Sequence, residues 1–411
     1  MRASGGPQAL VSDTGMPVSD TKGGGLRILI FIHSLHGGGA ERVAADLSAE
    51  WAEAGHQVAL VTQAGAERDV YALDPRVRRR VLGTEGEGGG LRGLWGNLRR
   101  VRALRAELRA FRPDIVLGMM TTASVLAVLA AAGLGCRVIA TEHAHPPSQA
   151  MSGLWQRLRR FTYPRAARVV ALTHGTARWL ETHVPGSRLA VIPNAVRWPL
   201  PRTEPLLPPA KPPGRRRLLA VGRLHPDKGF DLLLQAYAVL ADAHPDWDLV
   251  ILGEGGERPA LQARVDAAGL ARRVAMPGRA GNVGDWYASA DLYVLSSRFE
   301  GLSNTLIEAL ASGVPAVSFD CDTGPREIVR EGVDGVLVRP SGDAAALARA
   351  LDAAMADAEG RRAMAAQAVQ ARERFSAARV LGLWRQLLDD VQAGHSVRAA
   401  PASGGHAPPE Q

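Results

Sequence analysis

The chain is 411 residues long and contains only two cysteines, Cys136 and Cys321. Two thiols cannot build a disulfide framework or a thiolate metal site, and so few cysteines suit a reducing cytosol. No stretch approaches the roughly 18 to 20 apolar residues of a membrane span. The longest candidate, SVLAVLAAAGLG at 124–135, reads as a buried helix. Residues 1–25 lack an apolar core of signal-peptide length and are expected to form a disordered tail, as are residues 393–411. Lysine is nearly absent: Lys22, Lys211 and Lys228 stand against 46 arginines. The net charge of +8 is therefore an arginine excess, which GC-rich coding also produces and which is weak evidence for nucleic-acid binding. Lys22 falls in the tail and Lys211 in a linker, leaving Lys228 as the one lysine in sequence expected to fold.

Strand-like apolar runs alternate with helical patterns along the whole chain. RILIFI, QVALVT, DIVLGMM, CRVIATE, ARVVALT and LAVIPNAV belong to the first half, and RLLAVG, WDLVILG, RVAMPG, DLYVLSS, PAVSFD and GVLVRP to the second. Continuous apolar strands separated by helices imply parallel sheets covered on both faces. Residues 197–216 carry seven prolines and read as an extended connector. The expected fold is α/β, with two doubly wound Rossmann-like domains at 26–196 and 217–375 facing each other across a cleft. In such sheets ligands bind at the carboxyl ends of strands, so the loops after strands carry the candidate chemistry.

The loop VGRLHPDKGF puts Arg223 and Lys228 beside a helix start, a planar fork and a point charge suited to a diphosphate. RFEGLSNTLIEAL holds Glu300 and Glu308 around turn residues. There Gly301 and Leu302 let backbone amides approach a phosphate, and Ser303 or Asn304 opens a helix. Glu308 then has two readings. It either closes a capping box with Thr305, or accepts hydrogen bonds from a vicinal diol such as a ribose. In HSLHGGGAER, Gly38 and Gly39 lie between a strand and a helix, but Arg42 stands where a dinucleotide fingerprint needs Gly or Ala, which disfavours an NAD enzyme. His143 and His145 in ATEHAHP end another strand and are candidates for polar contact or proton handling, with His143 preferred. Asp320-x-Asp322 resembles a metal-binding pair, yet Asp246-x-Asp248 shows how cheaply the pattern arises, and no His/Cys cluster has metal spacing. Two basic helical segments remain. Leu94, Leu98, Val101, Leu104, Leu108 and Phe111 form one apolar stripe among arginines. Residues 143–180 carry six arginines and no acid, with Leu154, Trp155, Leu158 and Phe161 interleaved. Solvated arginines over a core stripe are the plain reading, and docking on anionic lipid the alternative.

Together, GGAER, VGRLHPDKGF, LGEG, EGLSNTLIEALASGVPAV, TGPREI and GVLV resemble the retaining group 1 glycosyltransferases of glycosyltransferase family 4, which have the GT-B fold. The resemblance covers roughly residues 26–390 and is nearest to bacterial enzymes of polysaccharide or lipid-linked oligosaccharide synthesis. It implies a nucleotide diphosphate sugar donor, expected to be a UDP-sugar, a hexose or N-acetylhexosamine for transfer, and a saccharide acceptor, expected to be lipid-linked. It implies no cofactor, no metal and no nucleic-acid partner, and a cytoplasmic place that extends to the inner face of the plasma membrane. By the same resemblance Arg223 and Lys228 bind the diphosphate, Glu308 the ribose and Glu300 the donor sugar. Glycines near Gly38 close over the phosphates, His143 approaches the donor sugar, and Asn194 joins the substrate contacts. A helix at 376–392 is expected to cross back to the first domain. Departures from the pattern are His143-Ala144, where relatives often carry an arginine-asparagine pair, and Asp322, where they carry proline. A sugar-nucleotide epimerase on the same plan and a basic nucleic-acid-binding protein are the other readings, and the second leaves the Arg223/Lys228 and Glu300/Glu308 loops unexplained.

Overall fold

A computed structural model describes residues 25–85, 90–149 and 151–394. The tails expected at 1–25 and 393–411 lie outside these residues, except for Gly25, Ala393 and Gly394. The first domain contains β1 (Arg27–Ile32), β2 (Gln57–Thr62), β3 (Arg78–Val81), β4 (Ile115–Gly118), β5 (Arg137–Glu142), β6 (Arg168–Ala171) and β7 (Leu189–Val191). The second contains β8 (Arg216–Val221), β9 (Trp247–Leu252), β10 (Val274–Gly278), β11 (Leu292–Leu295), β12 (Ala316–Phe319) and β13 (Gly335–Val338). Both sheets are parallel, with orders β3-β2-β1-β4-β5-β6-β7 and β10-β9-β8-β11-β12-β13. Strand order reverses beside β1 in one sheet and beside β8 in the other, and these reversals open a crevice at the carboxyl ends.

Alternate residues of each strand feed opposite faces. Ile28, Ile30, Val58 and Leu60 pack with α1 (Gly39–Glu53), whereas Leu29, Phe31, Ala59 and Val61 pack with α2 (Gly90–Phe111) and α3 (Thr121–Ala131). The strands are therefore buried on both sides, which is why they read as unbroken apolar runs. β3 departs from this rule. Its sequence is RRRV at a sheet edge, with no alternation to reveal it, and Arg79 anchors it by donating to Thr62 Oγ1 at 2.6 Å and pairing with Asp69 at 2.9 Å.

The stripe expected along α2 is only half buried. Leu104, Leu108 and Phe111 reach the core, but Leu98 is 40% and Trp95 67% exposed. A 22-residue helix runs about 33 Å, while the adjoining β4 has four residues and spans about 13 Å, so the amino-terminal half of α2 overhangs the sheet. In α4 (Gly153–Thr162), Arg157 and Arg160 are exposed but Arg159 is buried, with its guanidinium 4.9 Å over the Trp179 ring. Arg168 is buried as well, so the arginines of this segment are not uniformly solvated.

The proline-rich connector lies against the second domain, where Asn282 Nδ2 and Trp286 Nε1 both donate to the Leu207 carbonyl. Near residue 375 the chain returns: Val196 N–H donates to the Phe375 carbonyl, and the helix Ala377–Ala393 packs on the first domain. Its Val380, Trp384, Leu387, Leu388 and Val391 complete the core built by α1 and β1, and Trp384 meets Trp51 edge-on at 5.8 Å. Trp384→Ala should cost about 3 to 5 kcal/mol, the usual range for truncating a buried tryptophan. Chemical denaturation followed by tryptophan fluorescence checks this, and a shift under 1 kcal/mol (on the same scale) would mean that the helix is only draped over the domain.

Candidate active site

A cavity of about 650 Å³ lies between the domains, and every segment lining it follows a strand. Gly37, Gly38, Gly39 and Glu41 come after β1, His143, His145 and Gln149 after β5, and Asn194 after β7. From the second domain come Arg223 and Lys228 after β8, and Phe299 through Thr305 after β11.

Two features fix the loop bearing Lys228. Gly229 takes φ +61°, and a side chain there would sit 2.1 Å from the Ser296 carbonyl. Ser296 Oγ in turn donates to the Lys228 carbonyl at 2.9 Å. Arg298 adds a two-pronged pair with Asp231 and a bond to the Pro226 carbonyl. The loops after β8 and β11 are thus one rigid unit. Within it Lys228 Nζ lies 2.7 Å from Glu300 Oε1, which also accepts from Ser297 Oγ at 2.7 Å. Arg223 is exposed in the same cavity and has no ion-pair partner among the described residues.

The helix Asn304–Ala311 begins with Ser303 at its N-cap, where no side chain accepts from the first-turn amides. Those amides and Leu302 face the cavity, an arrangement suited to an anion. This register removes the capping-box reading. Thr305 is the second residue of the helix, and its Oγ1 accepts from Tyr293 Oη at 2.8 Å. Glu308, buried one turn further in, pairs instead with Arg42 of α1 at 2.6 Å. Glu308 is the one sequence-predicted site residue that does not line the cavity. Gly301 has no room for a side chain, because a Cβ would lie 2.2 Å from the His143 carbonyl. Asn194 Nδ2 donates to Asn304 Oδ1 at 2.9 Å, and Gly39 lies beside the same Asn304 amide.

On the first-domain side, both ring nitrogens of His143 are buried without a partner among the described residues. Burial pushes the imidazole down to about 4, so it is neutral at ordinary pH, with one nitrogen a donor and the other an acceptor. His145 is also pushed down by burial, and its Nδ1 lies 3.4 Å from Thr176 Oγ1. The preceding residue, Glu142, belongs to a network with no local signature in the sequence. Its carboxylate is fully buried and accepts from Tyr163 Oη at 2.5 Å and Thr121 Oγ1 at 2.7 Å, with the Arg159 guanidinium 3.8 Å away. Burial drives the Glu142 carboxyl up and the Tyr163 phenol well above its ordinary value. The network fixes the end of β5 and therefore the peptide that carries His143. Asp320 is likewise committed, with Arg326 Nε at 2.8 Å and Arg339 Nε at 2.7 Å on its two oxygens.

Residues 37–197 match the model of glycosyltransferase family 4, and residues 208–371 that of the group 1 glycosyl transferases. The chain belongs to the group 1 glycosyltransferases. Solved structures agree in fold. A sucrose-phosphate synthase from Thermosynechococcus elongatus superposes with a TM-score of 0.77 over 90% of this chain and 99% of its own, at 20% identity. The Anabaena protein HepE in complex with UDP gives 0.71 over 90% and 100%, also at 20% identity. These neighbours identify the group 1 architecture as GT-B, two facing Rossmann-like domains. Among curated relatives, an exopolysaccharide phosphotransferase of Streptomyces coelicolor is 33% identical over 70% of this chain. The match spans only 30% of that protein's length. An α-1,4-N-acetyl-D-galactosaminyltransferase of Campylobacter jejuni, named for a PP-undecaprenol-linked GalNAc substrate, is 25% identical over 89% of this chain and 99% of its own.

The His143 environment in this group 1 family member has a pH signature. A histidine held below its ordinary value of 6.5 supports the fold fully above that pH, and the support is lost as pH falls toward about 4. Across that window the loss is on the order of 3 kcal/mol. His143→Gln takes up no proton, so its stability should fall less between pH 7 and pH 5 than that of the wild type in urea titrations. Equal falls would show that the imidazole is not held neutral by its surroundings.

Proposed function

We propose that the protein is a retaining glycosyltransferase that moves a hexose or N-acetylhexosamine from a nucleotide diphosphate sugar to a saccharide acceptor in bacterial polysaccharide or glycan synthesis. The observation that carries this reading is the Arg223/Lys228 pair, which lies with the open helix N-terminus at Ser303–Asn304 in one cavity between the domains. Two fixed cations and a set of unsatisfied amides suit a diphosphate, and they need no divalent metal to balance its charge. Glu300 lies beside Lys228 and presents its second oxygen to sugar hydroxyls, while Glu308 accepts from the ribose. A UDP-sugar is the preferred donor, in line with the UDP complex of the HepE neighbour. The phosphotransferase activity named for the Streptomyces relative is not carried over, since most of that protein lies outside the match.

In the reaction the bond between the sugar's anomeric carbon and the diphosphate oxygen breaks, and the nucleoside diphosphate leaves with the electron pair. The acceptor hydroxyl oxygen bonds to the same face of that carbon and gives its proton to the departing phosphate oxygen. Arg223 and Lys228 meet charge that grows on the leaving group, so they act more strongly in the transition state than in the ground state. Neutral His143 supplies a hydrogen bond to the sugar without adding charge. Mass-spectrometric screening of nucleotide sugars with the wild type and Lys228→Ala tests this. The wild type should release a nucleoside diphosphate, and Lys228→Ala should be slower by on the order of 10²-fold with an unchanged melting temperature. Rates within threefold of each other would remove Lys228 from the diphosphate site.

The acceptor is proposed to be lipid-linked and met at an anionic membrane surface, in keeping with the PP-undecaprenol substrate named for the Campylobacter relative. Leu154 and Phe161 are 49% and 51% exposed on α4, beside the exposed Arg157 and Arg160. Each basic side chain near such a surface contributes about 1 kcal/mol. Sedimentation with phosphatidylglycerol vesicles should recover the protein at low salt, less at high salt, and less for the double substitution Arg157→Gln/Arg160→Gln. Equal recovery with neutral vesicles would dismiss the electrostatic docking.

A further inference from the structure

Arg42 is the residue that spoils the dinucleotide fingerprint of the first glycine loop, and the structure gives it a partner in the other domain. It lies in the first turn of α1, and its Nη1 is 2.6 Å from Glu308 Oε1. The Glu308 side chain is 5% and that of Arg42 24% exposed, so the pair is largely removed from water. Glu308 Oε2 faces Tyr287 Oη at 3.3 Å, and Tyr287 is fully buried. On its own helix Arg42 faces Asp46 at 4.0 Å, and Asp46 is held by Arg197 of the connector at 2.9 Å.

We propose that Arg42 is a positioning residue that holds the Glu308 carboxylate for the ribose hydroxyls of the donor nucleotide, so that this contact is complete only when the first domain is closed against the second. The proposal rests on the nucleotide-sugar reading given above. A carboxylate offers about four acceptor directions, of which Arg42 and Tyr287 use two, leaving one on each oxygen for a vicinal diol. Glu308 stands one turn along its helix from Asn304, which lines the cavity and is itself bonded to Asn194 of the first domain. A buried carboxylate needs a paired cation, and the only guanidinium among the described residues at hydrogen-bond distance comes from across the cleft. The planar fork also fixes the plane of the carboxylate, which a lysine ammonium would leave free to turn.

Calorimetric titration of the full chain with UDP and with 2′-deoxyuridine diphosphate tests the proposal. The wild type should bind UDP at least tenfold more tightly than the deoxy nucleotide. Arg42→Gln should weaken UDP binding at least tenfold and bind the two nucleotides alike, as should Glu308→Gln. Arg42→Lys should recover part of the UDP affinity but little of the preference for the 2′-hydroxyl. A merely structural role for Arg42 predicts equal weakening toward both nucleotides, with the preference kept, and that result would overturn the assignment. If the wild type bound neither nucleotide, the choice of a UDP donor would fall and this inference, as a contact to the UDP ribose, with it. If the wild type showed the preference and Arg42→Gln retained it, only the role of Arg42 would fall.

Discussion

The two domains touch backbone to backbone at Gly301, and the cleft takes its shape from that approach. A Cβ on Gly301 would stand 2.2 Å from the His143 carbonyl and 3.0 Å from Ala144 Cα, while one on Gly324 would stand 2.3 Å from the Gly301 carbonyl. Neither collision is with a flexible side chain, so only glycine lets the loop after β5 lie on the loop after β11. Once it does, three polar contacts fall into place around the meeting point. Arg42 reaches Glu308, Asn194 reaches Asn304, and Glu327 receives the amides of His174 and Gly175 at 2.8 and 2.9 Å. The last of these caps the helix His174–His183 of the first domain with a carboxylate of the second, where an acid also meets the positive end of the helix dipole.

The fold was legible because its physical cause is written locally. A parallel strand covered on both faces must be apolar throughout, and helices between such strands can only be crossovers. β3 escaped because an edge strand is excused from that demand, and RRRV carries no period. The loops of the second domain were legible for a related reason: Arg223, Lys228, Glu300 and Asn304 are polar residues standing directly after apolar strands, where the topology puts a ligand. Arg42 was visible only as a defect in a motif. Its partner is 266 residues away, and nothing local announces a contact made by the closing of two domains. The Glu142–Tyr163–Thr121–Arg159 network hid in the same way, since its members come from three separate segments and each looks ordinary alone.

The distribution of charge across the cleft is uneven, and the imbalance bears on the chemistry. The second domain holds both cavity cations. The first contributes a neutral imidazole, glycine backbone and the Glu41 carboxylate, while its Arg42, which does not line the cavity, is balanced by Glu308. The first domain therefore brings hydrogen-bonding groups but no arginine or lysine to the cavity. Of the two cations, Lys228 is balanced by Glu300 while Arg223 has no carboxylate partner among the described residues. In the proposed reaction Arg223 supplies the field that draws a diphosphate in, and Lys228 responds as the bond breaks. Its ammonium has three donors, so it can keep Glu300 oriented toward the sugar while turning another proton to the departing oxygen. In that proposal the acid assigned to the sugar and the cation assigned to the leaving group are held by one ion pair, which would tie orientation of the donor to stabilisation of the charge it loses.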